Sequence, residues 1–250
     1  MTEDRVAFSP ADELQRCGET LAAYWVLAVP PALASVAIVV VVFATLVTVV
    51  GTALAGAFFG GAHPTAGAGL GFGVGAIAGL AGIVLGFAAL NLSQAVTMHA
   101  SQDALAGRRP DLGASCRAVL PRLGDLGVSM FVSFLIVLAA LALCIVLIGI
   151  PLLVLAIYFL IYVQAAVVIG GENAFAAIAT SARIARTRVG DTVVLVIGVI
   201  AVTLLGSFVN GIAVHIPLVN LVAGFAIGGL TSAFVAMSTA RFYVALRDAR

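Results

Sequence analysis

Lysine is absent from this sequence, and charged residues of every kind are scarce. Twelve arginines supply all of the basic charge, and charged residues make up 9% of the chain, compared with about 25% in soluble domains. Without lysine there can be no Walker phosphate loop, no Schiff-base lysine and no lysine general base. Because 63% of the residues are hydrophobic and the mean hydropathy is +1.23, the composition is typical of an integral membrane protein.

The positions of the charges predict the topology. Every Asp, Glu and Arg lies in one of four windows, 1–19, 103–125, 172–191 and 241–250. Each uncharged stretch between them is long enough for two spans of about 20 residues and a turn. We therefore predict an all-α polytopic membrane protein, with six transmembrane helices arranged as three hairpins in a single integral membrane domain, 1–250. Short arginine-bearing loops stay cytoplasmic, so the windows and both termini are expected to be cytoplasmic.

The predicted spans cover about 24–50, 70–98, 126–148, 151–170, 192–214 and 218–240, with an outer loop at 51–69. The first 19 residues are net acidic and the apolar run that follows is long, so we expect no cleavable signal peptide. Glycines at helical spacing predict close helix packing. They form the sets Gly71, Gly75 and Gly79; Gly82 and Gly86; and Gly224 with Gly228.

One charged phrase occurs twice, as SCRAVLPRLGD at 115–125 and as SARIARTRVGD at 181–191. Each copy is predicted to end a short amphipathic cytoplasmic-side helix and to begin a span. In this elbow, Gly124 and Gly190 would end one helix in a left-handed conformation, and Asp125 and Asp191 would cap the next. In the second copy, the apolar arc of the helix is predicted at Phe175, Ile178, Ala182, Ala185 and Val189.

A fainter third copy of the unit begins at the N-terminus. Ser9-Pro10-Ala11-Asp12 is typical of a helix start, with an N-cap serine, a first-turn proline and a first-turn acid. Three pseudo-repeat units follow, at about 9–102, 111–170 and 173–240, each a short amphipathic helix and a hairpin.

The run Gly170-Gly171-Glu172-Asn173-Ala174-Phe175-Ala176-Ala177-Ile178, with Ser181 and Arg183, follows a hydrophobic hairpin with a central Ile150-Pro151. This pattern resembles the membrane domain fused to some bacterial glycerophosphoryl diester phosphodiesterases, and its stand-alone relatives, over roughly residues 90–200. The resemblance implies a multi-pass protein of the bacterial or archaeal inner membrane whose biochemical role is poorly defined. The phosphodiesterase activity belongs to a soluble domain and is not implied.

Candidate chemistry is sparse. The five carboxylates at 103, 111, 125, 172 and 191 are better explained as helix caps and arginine partners than as catalytic groups. His63, His99 and His215 are predicted on different sides of the membrane, and Cys17, Cys116 and Cys144 form no CxxC pair. We therefore expect no catalytic residues, no cofactor and no metal site.

Transport is an alternative that the sequence leaves open. Ionisable residues inside spans usually mark ion pathways, and the predicted spans contain none. Their polar residues include Asn91, Gln94, Gln164 and Asn210, which are more typical of hydrogen bonds between helices.

Arginines at the predicted surface helices suggest contact with lipid headgroups or with a partner. An arginine near an anionic leaflet contributes roughly 1 kcal/mol of attraction; the alternative is that these arginines only set the orientation of the protein in the membrane.

The leading interpretation of the function is a non-enzymatic scaffold or lipid-associated accessory component, and the alternative function is a subunit of a small-molecule transporter or channel. Expected partners are membrane lipids, including anionic phospholipid, and another copy of the chain or another membrane protein, but not nucleic acid. The arginines are Arg108, Arg109, Arg117, Arg122, Arg183, Arg186 and Arg188.

Overall fold

The computed structural model describes residues 8–59, 64–143, 149–213 and 217–248, with the backbone alone at 49, 52–59, 64–80, 83, 149, 212–213 and 217–221. Its regular structure, within those ranges, is helical throughout and contains no strand. The helices are α1 Pro10–Ala23, α2 Val29–Phe59, α3 Pro64–Leu105, α4 Leu112–Val119, α5 Leu123–Leu143, α6 Gly149–Leu160, α7 Val163–Val168, α8 Ala174–Thr187, α9 Val189–Ala213 and α10 Pro217–Asp248.

Five segments of the described chain are long and apolar enough to cross a membrane. They are Trp25–Thr48, Leu112–Leu143, Ile150–Val168, Val189–Gly211 and Val222–Asp248. The predicted second span, 70–98, lies within the 42-residue α3, but part of it falls outside the described side chains. The predicted outer loop at 51–69 is wrong in large part, because α2 continues to Phe59 and α3 begins at Pro64. Glycine and alanine are well tolerated in membrane helices, so their abundance does not mark a loop there.

Consecutive long helices pack against each other, α2 on α3, α5 on α6 and α9 on α10, and α10 also contacts α2 and α3. The α2 and α3 helices are antiparallel, since Gly82 lies against Val41 and Gly86 against Ile38. The short helix α1 packs on α10, α4 packs on α3, and α8 packs on α7 and α6.

The buried core lies at one end of the helices. Tyr162, Phe242 and Tyr243 are fully buried there, whereas Phe43 and Phe208, towards the middle and far end of their helices, are 66% and 69% exposed. Apolar side chains exposed along the spans fit a lipid environment, because moving such a side chain from lipid into the protein interior gains no hydrophobic free energy. We call the buried end, residues 8–28, 95–122, 162–192 and 233–248, the charged end.

Contacts at the charged end join the charged windows to one another. Glu13 of the first window pairs with Arg241 of the fourth at 2.7 Å. Glu172 of the third accepts a hydrogen bond from Tyr243 at 3.4 Å. The Arg122 side chain of the second window packs beside Gly171, which precedes the third. The segments that carry the charges therefore meet around one part of the core.

Glycines decide how closely the helices approach. The predicted role of Gly82 and Gly86 is confirmed, because a Cβ at Gly82 would lie 2.8 Å from Val41 and one at Gly86 3.0 Å from Ile38. The predicted pairing of Gly224 with Gly228 is wrong in part, since a Cβ at Gly228 would meet nothing within 4 Å. The neighbouring residue, Gly229, makes the close contact with Ala28 and Ala32 instead. The helical spacing of the glycines did not distinguish these two adjacent positions. The Gly71, Gly75 and Gly79 set lies outside the described side chains.

The adjacent residues Gly228 and Gly229 provide a matched test of this packing. A Cβ at Gly229 would lie 2.8 Å from both the carbonyl oxygen of Ala28 and the Cβ of Ala32. We expect Gly229→Ala to lower the free energy of unfolding by about 1–3 kcal/mol, as overpacking does, and Gly228→Ala to have little effect. Thermal unfolding of both variants in detergent measures the difference. Equal melting of the two would contradict this packing of α10 on α2.

Candidate functional site

The seven arginines predicted as one group are separated by the structure into different environments. Arg108 forms an ion pair with Asp103, with Nη2 and Oδ1 2.6 Å apart. Arg122 is half-buried and donates from Nη1 to the carbonyl oxygens of Val167, at 3.1 Å, and Val168. Arg108 is exposed despite its ion pair, as are the other five: Arg109, Arg117, Arg183, Arg186 and Arg188.

The exposed arginines differ in their surroundings. Among the described residues, no carboxylate oxygen lies within 4.0 Å, the limit for an ion pair, of the nitrogens of Arg109, Arg117 or Arg183. The guanidinium of Arg186 lies over the ring of Phe159, with its Cζ 5.6 Å from the ring centroid. These side chains surround the charged end, where they can meet a ligand or a lipid surface.

Arg122 has a structural role that the sequence did not reveal. It completes the C-terminus of α7, whose last carbonyls also accept hydrogen bonds from the Gly170 and Glu172 amides. A guanidinium at a helix C-terminus is favoured by both hydrogen bonding and the helix dipole. Gly171 takes a left-handed conformation, with φ of 69°, and a Cβ on Gly170 would lie 2.3 Å from the Tyr243 hydroxyl. The Gly-Gly-Glu-Asn run is therefore a tight turn packed against Arg122 and α10.

The predicted elbow chemistry at Gly124, Asp125, Gly190 and Asp191 is wrong in detail. Among the described glycines, positive φ occurs at Gly107 and Gly171, so neither predicted glycine is left-handed. The α5 helix begins at Leu123, after the 3-10 turn Leu120–Arg122, and α9 begins at Val189, so both aspartates lie in first turns. The helix dipole favours an acid at any position of a first turn. The Gly-Asp pattern therefore predicted where each helix begins, but not which residue is its N-cap.

The predicted apolar face of α8 is also wrong in part. Ile184, which is not part of the predicted arc, is buried together with Ala177 and Ser181, whereas Phe175 is 69% exposed. Small side chains let α8 approach α7 closely, so the face that contacts protein is not the most hydrophobic one. Hydrophobic periodicity cannot distinguish a lipid-facing stripe from a protein-facing stripe.

Capping at other helix starts follows the sequence closely. The predicted start at Ser9 is confirmed, since Ser9 Oγ accepts from the Asp12 amide at 3.5 Å and Pro10 begins α1. Asp111 caps α4 by accepting from the Gly113 and Ala114 amides at 2.9 and 3.0 Å.

A partly buried ion pair fixes the N-terminal helix to the C-terminal one. Arg241 donates to both carboxylate oxygens of Glu13 at 2.7 and 3.1 Å, and these hydrogen bonds hold the pKa of the Glu13 carboxyl below its ordinary value of 4.5. Beneath the pair, burial raises the pKa of the Cys17 thiol to about 11, so Cys17 stays protonated and unreactive. The windows at 1–19 and 241–250 were predicted on the same side, so the opposite charges of their residues were the sequence signal that could have indicated this ion pair.

Neutral polar side chains meet in a cavity of about 570 Å³ between α3, α5, α6, α7, α9 and α10. Gln164 donates to Asn91 Oδ1, and Gln94 donates to Ser232 Oγ at 3.3 Å. A neighbouring cavity of about 340 Å³ shares Gln94 and continues between α9 and α10 to Asn210. Helix-to-helix hydrogen bonding of these amides was predicted, but their convergence on one cavity was not. The other polar residues of the first cavity are Ser129, Ser133 and Thr239.

The candidate metal ligands remain scattered over the described residues, where no three His, Cys, Asp or Glu side chains form a group that could hold a metal ion. His99 Nδ1 lies 3.2 Å from Ser115 Oγ and joins α3 to α4. His63, His215 and Cys144 lie outside the described residues.

Comparisons of the chain with protein-family models, with curated proteins and with solved structures find no significant match.

The Glu13 ion pair predicts how stability depends on pH. Because its carboxyl has a lowered pKa in the folded state, the pair stabilises the fold above about pH 4.5, and this contribution is lost as the pH falls through the folded pKa. We expect Glu13→Gln to cost about 1–3 kcal/mol at neutral pH, since the amide replaces one of the two acceptors of Arg241 with a donor and removes the negative charge. The gap in melting temperature between variant and wild type should narrow as the pH falls below about 4.5 and through the lowered pKa of the Glu13 carboxyl in the folded state.

Arg16→Gln provides the control for this experiment. Arg16 is exposed and lies 3.7 Å from Glu13, so its loss should change the melting temperature little. A gap between wild type and Glu13→Gln that stayed constant from neutral to acid pH would contradict the role of the ionised pair.

Proposed function

We propose that this chain is a non-enzymatic integral membrane protein, a scaffold or lipid-associated accessory component, that binds anionic phospholipid at its charged end. The observation that carries the proposal is the separation of the arginines into two kinds. Arg108 and Arg122 are engaged within the protein, whereas Arg109, Arg117 and Arg183 are exposed and have no carboxylate partner in the described part of the chain. Arginine matches phosphate geometry well, with several donors in a planar fork.

Exposed aromatic residues support contact between the charged end and a membrane surface. Phe175 on α8 and Trp25, at the junction of α1 and α2, are 69% and 68% exposed. Aromatic side chains are enriched where a membrane meets water, and arginine stems can extend from that level to phosphates. A surface helix with protein on one side and lipid on another would expose both residue types, as α8 does.

The roles of the interfacial carboxylates support a protein without catalytic activity. Asp111 caps α4, Asp103 pairs with Arg108, and Glu13 pairs with Arg241. A carboxylate that already has a structural partner is a poor general acid or base, because taking up a proton would break the contact it makes.

The finer topology belongs to the same proposal. Six spans would place the four charged windows on one side, and the positive-inside rule would make that side cytoplasmic. The setting would be the inner membrane of a bacterium or an archaeon, with both termini inside. We also retain as a hypothesis the resemblance of residues 90–200 to the membrane domain of bacterial glycerophosphoryl diester phosphodiesterases, which assigns no activity to this chain.

Removal of the exposed charges tests the proposal. In the variant with Arg109→Gln, Arg117→Gln and Arg183→Gln, we expect anionic phospholipid co-purified per protein to fall about fivefold or more, since each arginine contributes roughly 1 kcal/mol near an anionic surface. Mass spectrometry of the lipids that remain bound in detergent measures the change. Arg108, Arg122, Arg186 and Arg188 remain and should preserve the orientation.

The pair Asp103→Asn with Arg108→Gln is the matched control. It removes an arginine together with its ion-pair partner, so the net charge is unchanged and lipid retention should match the wild type. Equal retention of anionic lipid by the triple variant and the wild type would show that the exposed arginines only set orientation.

A subunit of a small-molecule transporter or channel is the second candidate. It is favoured by the neutral cavity around Asn91, Gln94 and Gln164, which continues through Gln94 towards Asn210. Such a path lacks charged groups and would suit a neutral solute able to form hydrogen bonds. A closed homo-oligomer with this cavity facing a shared central path would favour transport over lipid association.

A further inference from the structure

An apolar groove of about 410 Å³ lies between α5, α6 and α8. This volume falls in the range of roughly 300–1,000 Å³ that is usual for ligand sites. Its walls are formed by side chains between Ile136 and Leu143 of α5 and between Leu152 and Leu160 of α6, and by α8 side chains that end at Arg186.

Arg186 is the charged residue among these lining side chains, and it lies at one end of the groove. Phe159, the ring beneath its guanidinium, is next to the last residue of α6, at the charged end. The opposite end of the groove is formed by Leu143 and Leu152. A cation at the charged end is therefore followed by hydrocarbon walls that extend along the spans.

The dimensions of the groove match part of one lipid chain. From Leu152 to Leu160 the α6 helix rises by about 12 Å, at 1.5 Å per residue. A helix from a partner protein is about 10 Å wide with its side chains, too wide for a groove of this volume. Four of the lining side chains are small, so the groove is narrow and smooth and fits a flexible acyl chain better than a bulky aromatic ligand. They are Ala139, Ala140, Ala156 and Ala182.

We propose that this groove, the Arg186 groove, binds one anionic phospholipid, with its phosphate at Arg186 and one acyl chain against α5 and α6. Charge complementarity selects the occupant, because no carboxylate of the described residues lies within ion-pair distance of Arg186. The guanidinium lies over the Phe159 ring, which also lines the groove. The inference rests on the proposed function, which it deepens by assigning one discrete site beside the exposed arginines.

Photo-labelling tests the site in the intact protein. A phosphatidylglycerol carrying a diazirine in one acyl chain would be incorporated into vesicles with the protein, and labelled peptides mapped by mass spectrometry. We expect labels at residues 136–143 and 152–160 of the wild type. Arg186→Gln should reduce labelling there about fivefold, the change that corresponds to roughly 1 kcal/mol of headgroup attraction.

Three variants separate the site from general surface attraction. Arg16→Gln removes an exposed charge that belongs neither to the groove nor to the proposed lipid contacts, and it should leave the groove labelling unchanged. Ala139→Phe fills the groove from its exposed wall and should abolish the labelling while Arg186 stays in place. Arg186→Lys keeps the charge and should retain most of the labelling.

Three results would overturn the Arg186 groove as an anionic lipid site. They are equal losses of labelling for Arg16→Gln and Arg186→Gln, unchanged labelling in Ala139→Phe, and labelling by a phosphatidylethanolamine analogue as strong as by phosphatidylglycerol. The variant that tests the proposed function leaves Arg186 intact. If only that variant lost lipid, the groove would be wrong and the proposed function would stand; if neither lost lipid, both would be wrong.

Discussion

The cost of placing a charge in hydrocarbon is the constraint on which the rest of this structure depends. An arginine or aspartate at the centre of a membrane helix costs about 2.5–3.5 kcal/mol even on insertion scales, and 20–102, 126–171 and 192–240 contain none. The charged windows must therefore lie at helix ends, where their residues can contact one another. Glu13 meets Arg241, and Arg122 completes the end of α7. The confinement of charge thus yields a packed end that holds the helices in place.

Away from the charged end, the helices cannot rely on the hydrophobic effect, because lipid is as apolar as the side chains it surrounds. Close approach and polar contacts replace it. Gly82 and Gly86 let α3 approach α2, and Gly229 lets α10 approach the start of α2. Gln94 donates to Ser232 Oγ at 3.3 Å, which joins α3 to α10. The same reliance on small and amide side chains leaves grooves and cavities, and it is these spaces that could hold ligands.

The sequence allowed prediction of features that depend on local composition or on charge, and failed where packing decides. Five apolar segments and the Ser9 cap follow from hydropathy and capping rules. The faces of α8 did not, because Ile184 packs on protein and Phe175 is exposed although both are apolar. The role of Arg122 depends on a partner 46 residues away, and the Arg186 groove arises from the spacing of three helices. Neither is encoded in a local pattern.

The central claim is that all four charged windows lie on one side of a membrane, and cysteine accessibility tests it most directly. With Cys17, Cys116 and Cys144 replaced, single cysteines would be placed at Glu19, Arg109, Thr187 and Asp248, one in each window, and at Thr65 as a reference for the opposite side. Labelling with an impermeant reagent would be compared in right-side-out and inverted vesicles. The account predicts that the four window positions react from the same side and Thr65 from the other. Reaction of any two window positions from opposite sides would contradict it.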